Sequence, residues 1–190
     1  MVAEQLERVV IHDMKDLQNW LRLNHAEGTS VWLITGKKHT AHYLSYDEII
    51  DTLLCWGWVD SRTLKVDENW RGLLIAPRNP KSAWSAINKG KVARLRAEGR
   101  MTPAGEALVT AAQANGMWDF LDDVERLEVP QDLAEALGGL RAVWDVWPRS
   151  VKRGTLEWIK TAKQVQTRAK RIAHVAEAAA EGQRPAHFRR

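Results

Sequence analysis

Chemistry is most concentrated in PRNPKSAWSAINK, residues 77–89. Pro77 and Pro80 hold the backbone extended, and Ser82 is read as the N-cap of a helix running to about Glu98. A helix start turns free N–H groups and partial positive charge toward whatever lies in front of it. Arg78, Lys81 and the hydroxyls of Ser82 and Ser85 surround that point, which are the ingredients of an anion site. The plainer alternative is that Ser82 only caps the helix and Arg78 pairs with a carboxylate such as Asp60. That aspartate lies in CWGWVDSR, residues 55–62. On a strand, Trp58 and Asp60 point to one face, and Val59 and Ser61 to the other. An aspartate beside a tryptophan either pairs with an arginine or lines a wet cleft.

Other reactive groups are less well placed. Cys55 would need a basic partner to act as a nucleophile, yet it falls on the apolar side of its helix with no histidine nearby in sequence. A core thiol is the expected role. His39 and His42 form HxxH without a third ligand at metal spacing. Glycine-rich phosphate loops, paired-carboxylate signatures and GxSxG elbows are absent from the sequence. Neither a catalytic residue, a metal nor a cofactor is therefore expected.

A third candidate is RSVKRGTLEWIKTAKQVQTRAKRIAH, residues 149–174. As one helix it places Arg149, Lys152, Arg153, Lys160, Lys163, Lys170 and Arg171 on one face. Val151, Trp158, Ala162, Val165, Ala169 and Ile172 lie opposite. This is either a solvated face over a core stripe or a surface that contacts phosphates, including those of nucleic acid.

Periodicity supplies the elements that position these groups. Residues 13–27 read as a helix capped by Asp13 and ended by Gly28, and VWLIT (31–35) as a buried strand. Ser45 caps a helix ending near Gly57, with Asp47 and Glu48 in its first turn. WVDSRTLKV (58–66) and WRGLLIAP (70–77) read as a hairpin across Asp67, Glu68 and Asn69. Beyond residue 82 the pattern is helical: Thr102-Pro103 opens one helix, Pro130 precedes another, and a long helix is expected over 150–181. The fold class is thus α+β and mainly α. A small N-terminal sheet, antiparallel in part, with its helices is followed by an all-helical C-terminal lobe. One domain is expected over 1–185, with lobes at 1–80 and 81–182 and a frayed tail at 183–190.

Bulk composition bounds the rest. Ten tryptophans in 190 residues favour core over site, because indoles bury large apolar area. The formal charge of +4 is uneven: residues 1–80 carry 9 Lys/Arg against 11 Asp/Glu, and residues 81–190 carry 19 against 13. The basic second half permits an anionic partner. The single cysteine excludes an intramolecular disulfide and suits a reducing compartment. Without a secretory signal or an apolar run long enough to span a bilayer, the expected location is the cytoplasm.

Several pieces in order resemble the family called bacteriocin-protection, YdeI or OmpD-associated. They are LSYDEIIDTLLCWGWVDS (44–61), PRNPKSAWSAINKGKVARL (77–95), GRMTPAGEALV (99–109), VPQDLAEAL (129–137), and WIKTAK followed by TRAKRI (158–172). The resemblance runs from about Val31 to Pro185, about four fifths of the chain. It implies a protective role against bacteriocins or antimicrobial peptides, and no established catalytic mechanism. The family has a proline between its Ala-Lys and Thr-Arg pieces, where this chain has Gln164, Val165 and Gln166. A break there would make Thr167 an N-cap and end the single basic face after residue 163.

The family motifs include many polar groups, which suggests one polar cleft for an anionic or zwitterionic ligand. Its expected residues are Trp58, Asp60, Arg78, Ser82, Trp84, Ser85, Asn88, Lys163, Thr167 and Arg168. The leading expectation is a non-enzymatic binding module of a stress or bacteriocin-protection response. The alternatives are a nucleic-acid-binding protein using residues 149–171 and an enzyme of unknown chemistry built on Asp60, Arg78 and Ser82.

Overall fold

A computed structural model describes residues 6–188. The chain forms two compact units, Met1–Asp119 and Phe120–Arg190.

The N-terminal unit holds a four-stranded sheet in the order β1-β2-β4-β3. Its strands are β1 (Arg8–Val10), β2 (Val31–Gly36), β3 (Trp58–Lys65) and β4 (Trp70–Pro77). β2, β4 and β3 are antiparallel, as the hairpin pattern predicts. β1 lies parallel to β2 and makes the sheet mixed. Three residues are too few to show alternation, which is why β1 escapes detection in the sequence. Asp67 builds the hairpin turn, its Oδ1 accepting from the N–H groups of Asn69 and Trp70.

Helices α1 (Met14–Asn24) and α2 (Tyr46–Cys55) start at Asp13 and Ser45, whose side chains cap them as expected. They bury Leu17, Leu21, Ile49 and Leu53 with Leu33, Ile75 and Trp58 of the sheet. The other sheet face buries Trp32, Ile34 and Leu74 against Leu64 and Trp70.

Helices α3 (Ala86–Ala97) and α4 (Pro103–Ala114) belong to this same unit. Their Val92, Leu95, Val109 and Ala112 pack with Leu54 and Cys55 of α2. The boundary accordingly falls at 119/120, not 80/81. Close approach of α4 to α2 depends on Gly105, where a Cβ would meet the Cys55 carbonyl oxygen at 2.3 Å.

The α2–α3 junction contains an ion cluster. Asp51, with a side chain 9% exposed, accepts from Lys91 Nζ at 2.9 Å and Arg94 Nη2 at 2.5 Å. Burial alone would push its carboxyl pKa up, but the two hydrogen bonds and charges outweigh that and hold it below the usual value.

The C-terminal unit is all helical: α5 (Asp122–Glu125), α6 (Gln131–Leu137), α7 (Arg141–Asp145), α8 (Arg149–Lys160) and α9 (Val165–Ala180). α9 packs against α6 and α8, and α5 against α8. The long helix expected over 150–181 is two helices. The Thr161 hydroxyl donates to the carbonyls of Glu157 and Trp158, which would serve the next turn. Arg171, returning on α9, donates to the Trp158 carbonyl and lies over the Trp158 ring at 5.0 Å. Gln164, not Thr167, is the N-cap of α9. The expected single basic face is therefore divided among α8, its connector and α9.

Residues 183–188 belong to the tail expected to fray. Pro185 is buried, and residues 186–188 make a 3₁₀ turn. The Phe188 ring lies against Gly154, where a Cβ would come within 2.5 Å of it. The last two residues of that expected tail lie outside the described range.

Among the described residues, no helix is long and apolar enough to cross a membrane.

Candidate functional site

The two stretches singled out in the sequence meet in the N-terminal unit. Gly57, at φ +75°, turns the chain out of α2 into β3. Its carbonyl accepts from the Arg78 N–H at 2.8 Å, so the loop after β4 is tied to the CWGW turn. That loop is fixed along its length. The Asn79 carbonyl accepts from the Ser82 N–H and the Asn79 side chain from the Lys81 N–H, while Asn115 Nδ2 donates to the Pro80 carbonyl.

Ser85, not Ser82, caps α3; its hydroxyl accepts from the Asn88 N–H. The reason lies at Trp84. Its N–H is donated to the Met117 carbonyl and its ring is buried at 2% exposure, so the chain cannot turn helical before Ser85. Ser82 is exposed, in the bend before that point.

Arg78 is the unusual group. It is 7% exposed, yet no carboxylate pairs with it among the described residues. Nη2 donates to the Ala83 carbonyl at 2.7 Å, and the guanidinium stacks 4.0 Å from the Trp84 ring centroid. Trp84 packs in turn against Trp118, with ring centroids 5.1 Å apart. Nε has no hydrogen-bond partner among the described residues. Burial pulls the pKa of this guanidinium below its ordinary value.

The Arg78–Asp60 pair weighed in the sequence is not formed. Asp60 instead accepts from the Tyr46 hydroxyl at 2.6 Å. Alternation places Asp60 beside Trp58 on the face covered by α2, and Tyr46 opens that helix. The bond to Asp60, then burial and the Asp60 charge, push the Tyr46 pKa up to about 12. This bond stabilises the fold below the free phenol value of about 10 and is lost as pH rises through about 12. Replacing Asp60 by Asn should return the phenol toward about 10, read as tyrosinate absorbance during alkaline titration.

Trp58 faces inward at 2% exposure, and its indole N–H donates to the His25 carbonyl at 3.1 Å. None of the ten tryptophans is exposed: five are buried and five partly buried. The Cys55 thiol is also buried, and desolvation raises its pKa, opposed by the Arg100 charge. The structure thus brings Arg78 against Trp84, while Ser85 and Asn88 pair with each other at the start of α3. Asp60 and Trp58 are committed to partners of their own.

The remaining expected residues belong to the C-terminal unit. Arg168 makes two bonds to the Asp132 carboxylate, at 2.6 and 2.9 Å. That pair holds the Asp132 carboxyl below its usual value. Arg168 lines two clefts, of about 250 and 370 Å³. Lys163 is exposed in the connector, and Thr167 is half-buried in the first turn of α9.

Much of the basic series on α8 is used internally. Arg153 binds Glu125 and Glu157, and Lys160 binds Asp123 at 2.6 Å. Arg149 and Lys152 donate to the carbonyls of Glu125 and Asp145. Lys170 is exposed on α9. Tyr46, Asp132 and the carboxylates of α5 are partners that sequence reading missed. Long-range pairing leaves no signal in local spacing.

Together these features define an α+β unit with a buried, uncompensated arginine, and an all-helical unit laced by ion pairs. The chain belongs to the family defined by a domain of unknown function (DUF8412), which matches residues 9–108, over half its length. Residues 126–182 match the family described as Bacteriocin-protection, YdeI or OmpD-Associated. That match upholds the resemblance in the C-terminal part, including 129–137 and 158–172, whereas 44–61 and 77–95 lie within the first family's stretch. No curated protein and no solved structure matches the chain.

Proposed function

We propose that the chain is a non-enzymatic cytosolic binding module of a bacterial stress or bacteriocin-protection response, and that it holds an anionic or zwitterionic ligand at Arg78. The observation carrying this reading is the burial of Arg78 without a counter-charge among the described residues. Buried charges in proteins are nearly always paired, because desolvation is costly. Trp84 and one carbonyl offset part of that cost, and an anion on the open donors would offset the rest. Ser85 and Asn88 stand at the start of α3, next along the chain from Trp84. Against the nucleic-acid alternative stands the internal pairing of Arg153, Lys160 and Arg168, which leaves fewer charges for phosphates.

Native mass spectrometry of protein purified at low salt from its own cells tests the reading. A discrete added mass is expected, and Arg78→Met should lose it. The methionine keeps the apolar contact with Trp84, removes the buried charge and leaves the Ala83 carbonyl without its donor. These opposing changes should leave stability within about 1–2 kcal/mol of the parent. A bare mass in the parent protein, or an adduct retained in Arg78→Met, overturns the assignment to Arg78.

A further inference from the structure

A cleft in the N-terminal unit, of about 380 Å³, is lined by Gln18, Asn19 and Arg22 of α1, Thr52 and Trp56 at the end of α2, and Arg100. Its size suits a small organic ligand. Sequence and packing explain its composition. α1 buries Leu17 and Leu21, so Gln18, Asn19 and Arg22 fall on its exposed side. Arg100 is held in place because Thr102, two residues on, is anchored to α2. Both the N–H and the hydroxyl of Thr102 donate to the Cys55 carbonyl, at 3.2 and 2.7 Å.

The charge in this cleft is one-sided. Two guanidinium groups and two side-chain amides line it, and among the described residues no aspartate or glutamate does. Arg100 shares its charge with Glu98 at 2.9 Å. A second observation points the same way. Thr52 is 3% exposed, and its hydroxyl oxygen has no partner among the described residues. Buried hydroxyls are nearly always hydrogen-bonded. Trp56 is partly buried and adds a flat apolar wall.

We infer that this cleft is a second binding site, for a small organic anion. Arg22 and Arg100 attract its carboxylate or phosphate, the amides of Gln18 and Asn19 donate to the same oxygens, and Trp56 contacts its apolar body. Arg78 takes no part in it.

Nuclear magnetic resonance of protein labelled with ¹⁵N at tryptophan tests this, with the Trp56 indole signal assigned through Trp56→Phe. The probes are sodium phosphate and sodium benzoate, titrated at constant ionic strength against sodium chloride. A saturable shift of the Trp56 signal with Kd below about 10 mM is expected for at least one probe. Phosphate alone saturating would assign the head group as phosphate, and benzoate alone as carboxylate. The Arg22→Gln, Arg100→Gln double variant should weaken binding at least about tenfold. Both residues are exposed, so the fold should survive their replacement. Arg78→Met should leave this titration unchanged, which separates it from the first site. Shifts that stay linear to about 50 mM for both probes, that chloride reproduces, or that the double variant retains in full would each overturn the inference.

Discussion

Trp58→Ala should lower the stability of the N-terminal unit by about 3–5 kcal/mol, the largest single-residue effect expected here. The ring packs with Leu17, Leu21, Leu33, Leu53 and Ile75 and lies edge-on to Trp20 at 5.4 Å. Truncation removes that apolar area and leaves a cavity that the sheet and two helices cannot close. It also strips the His25 carbonyl of its indole donor. Trp58→Phe keeps most of the volume but not the N–H, and should cost about 1–2 kcal/mol. The check is native-state hydrogen exchange of β2 and β4 amides, whose protection reports the opening of this unit. Unchanged protection in Trp58→Ala would mean that the ring is a ligand wall and not core.

Asp51→Ala should cost about 2–3 kcal/mol. The variant loses charged hydrogen bonds from both Lys91 and Arg94 across the α2–α3 junction. The cost stays below that of a fully buried pair for a structural reason: Lys91 keeps Asp47 at 3.3 Å and Arg94 keeps Glu98 at 2.9 Å, and both of those partners reach solvent. The effect carries a pH signature. The folded Asp51 carboxyl sits below its unfolded value of about 3.9, so its contribution is full above that value and is lost as pH falls through the folded one. Urea melts should therefore show the whole gap between parent and variant at pH 7 and a narrowing gap below about pH 4. A gap independent of pH would assign the loss to packing instead of charge.

Capping chemistry was legible in the sequence because it is local. Asp13, Ser45 and Thr102 each accept from the N–H three residues ahead, and all three helices begin just after those residues. The start of α3 was misplaced by three residues, because Trp84 is held extended by Met117, far along the chain. The α8–α9 break has a similar origin. Its carbonyl cap, Arg171, becomes available only when α9 has folded back on α8.

The candidate sites divide along the same line. Local sequence specifies the α+β class, the hairpin, most helix starts and the concentration of polar chemistry around Arg78. Those features depend on periodicity, turn residues and caps within a few positions of one another. Which charges find partners is settled only once the chain has folded. Asp60 goes to Tyr46, 14 positions away, Asp51 to Lys91 and Arg94, and Arg168 to Asp132. Arg78 is left buried without a counter-charge among the described residues, and Arg22 and Arg100 come to line one cleft. A charge's partner is set by distance and desolvation in the folded chain, and neither quantity is encoded in spacing along it.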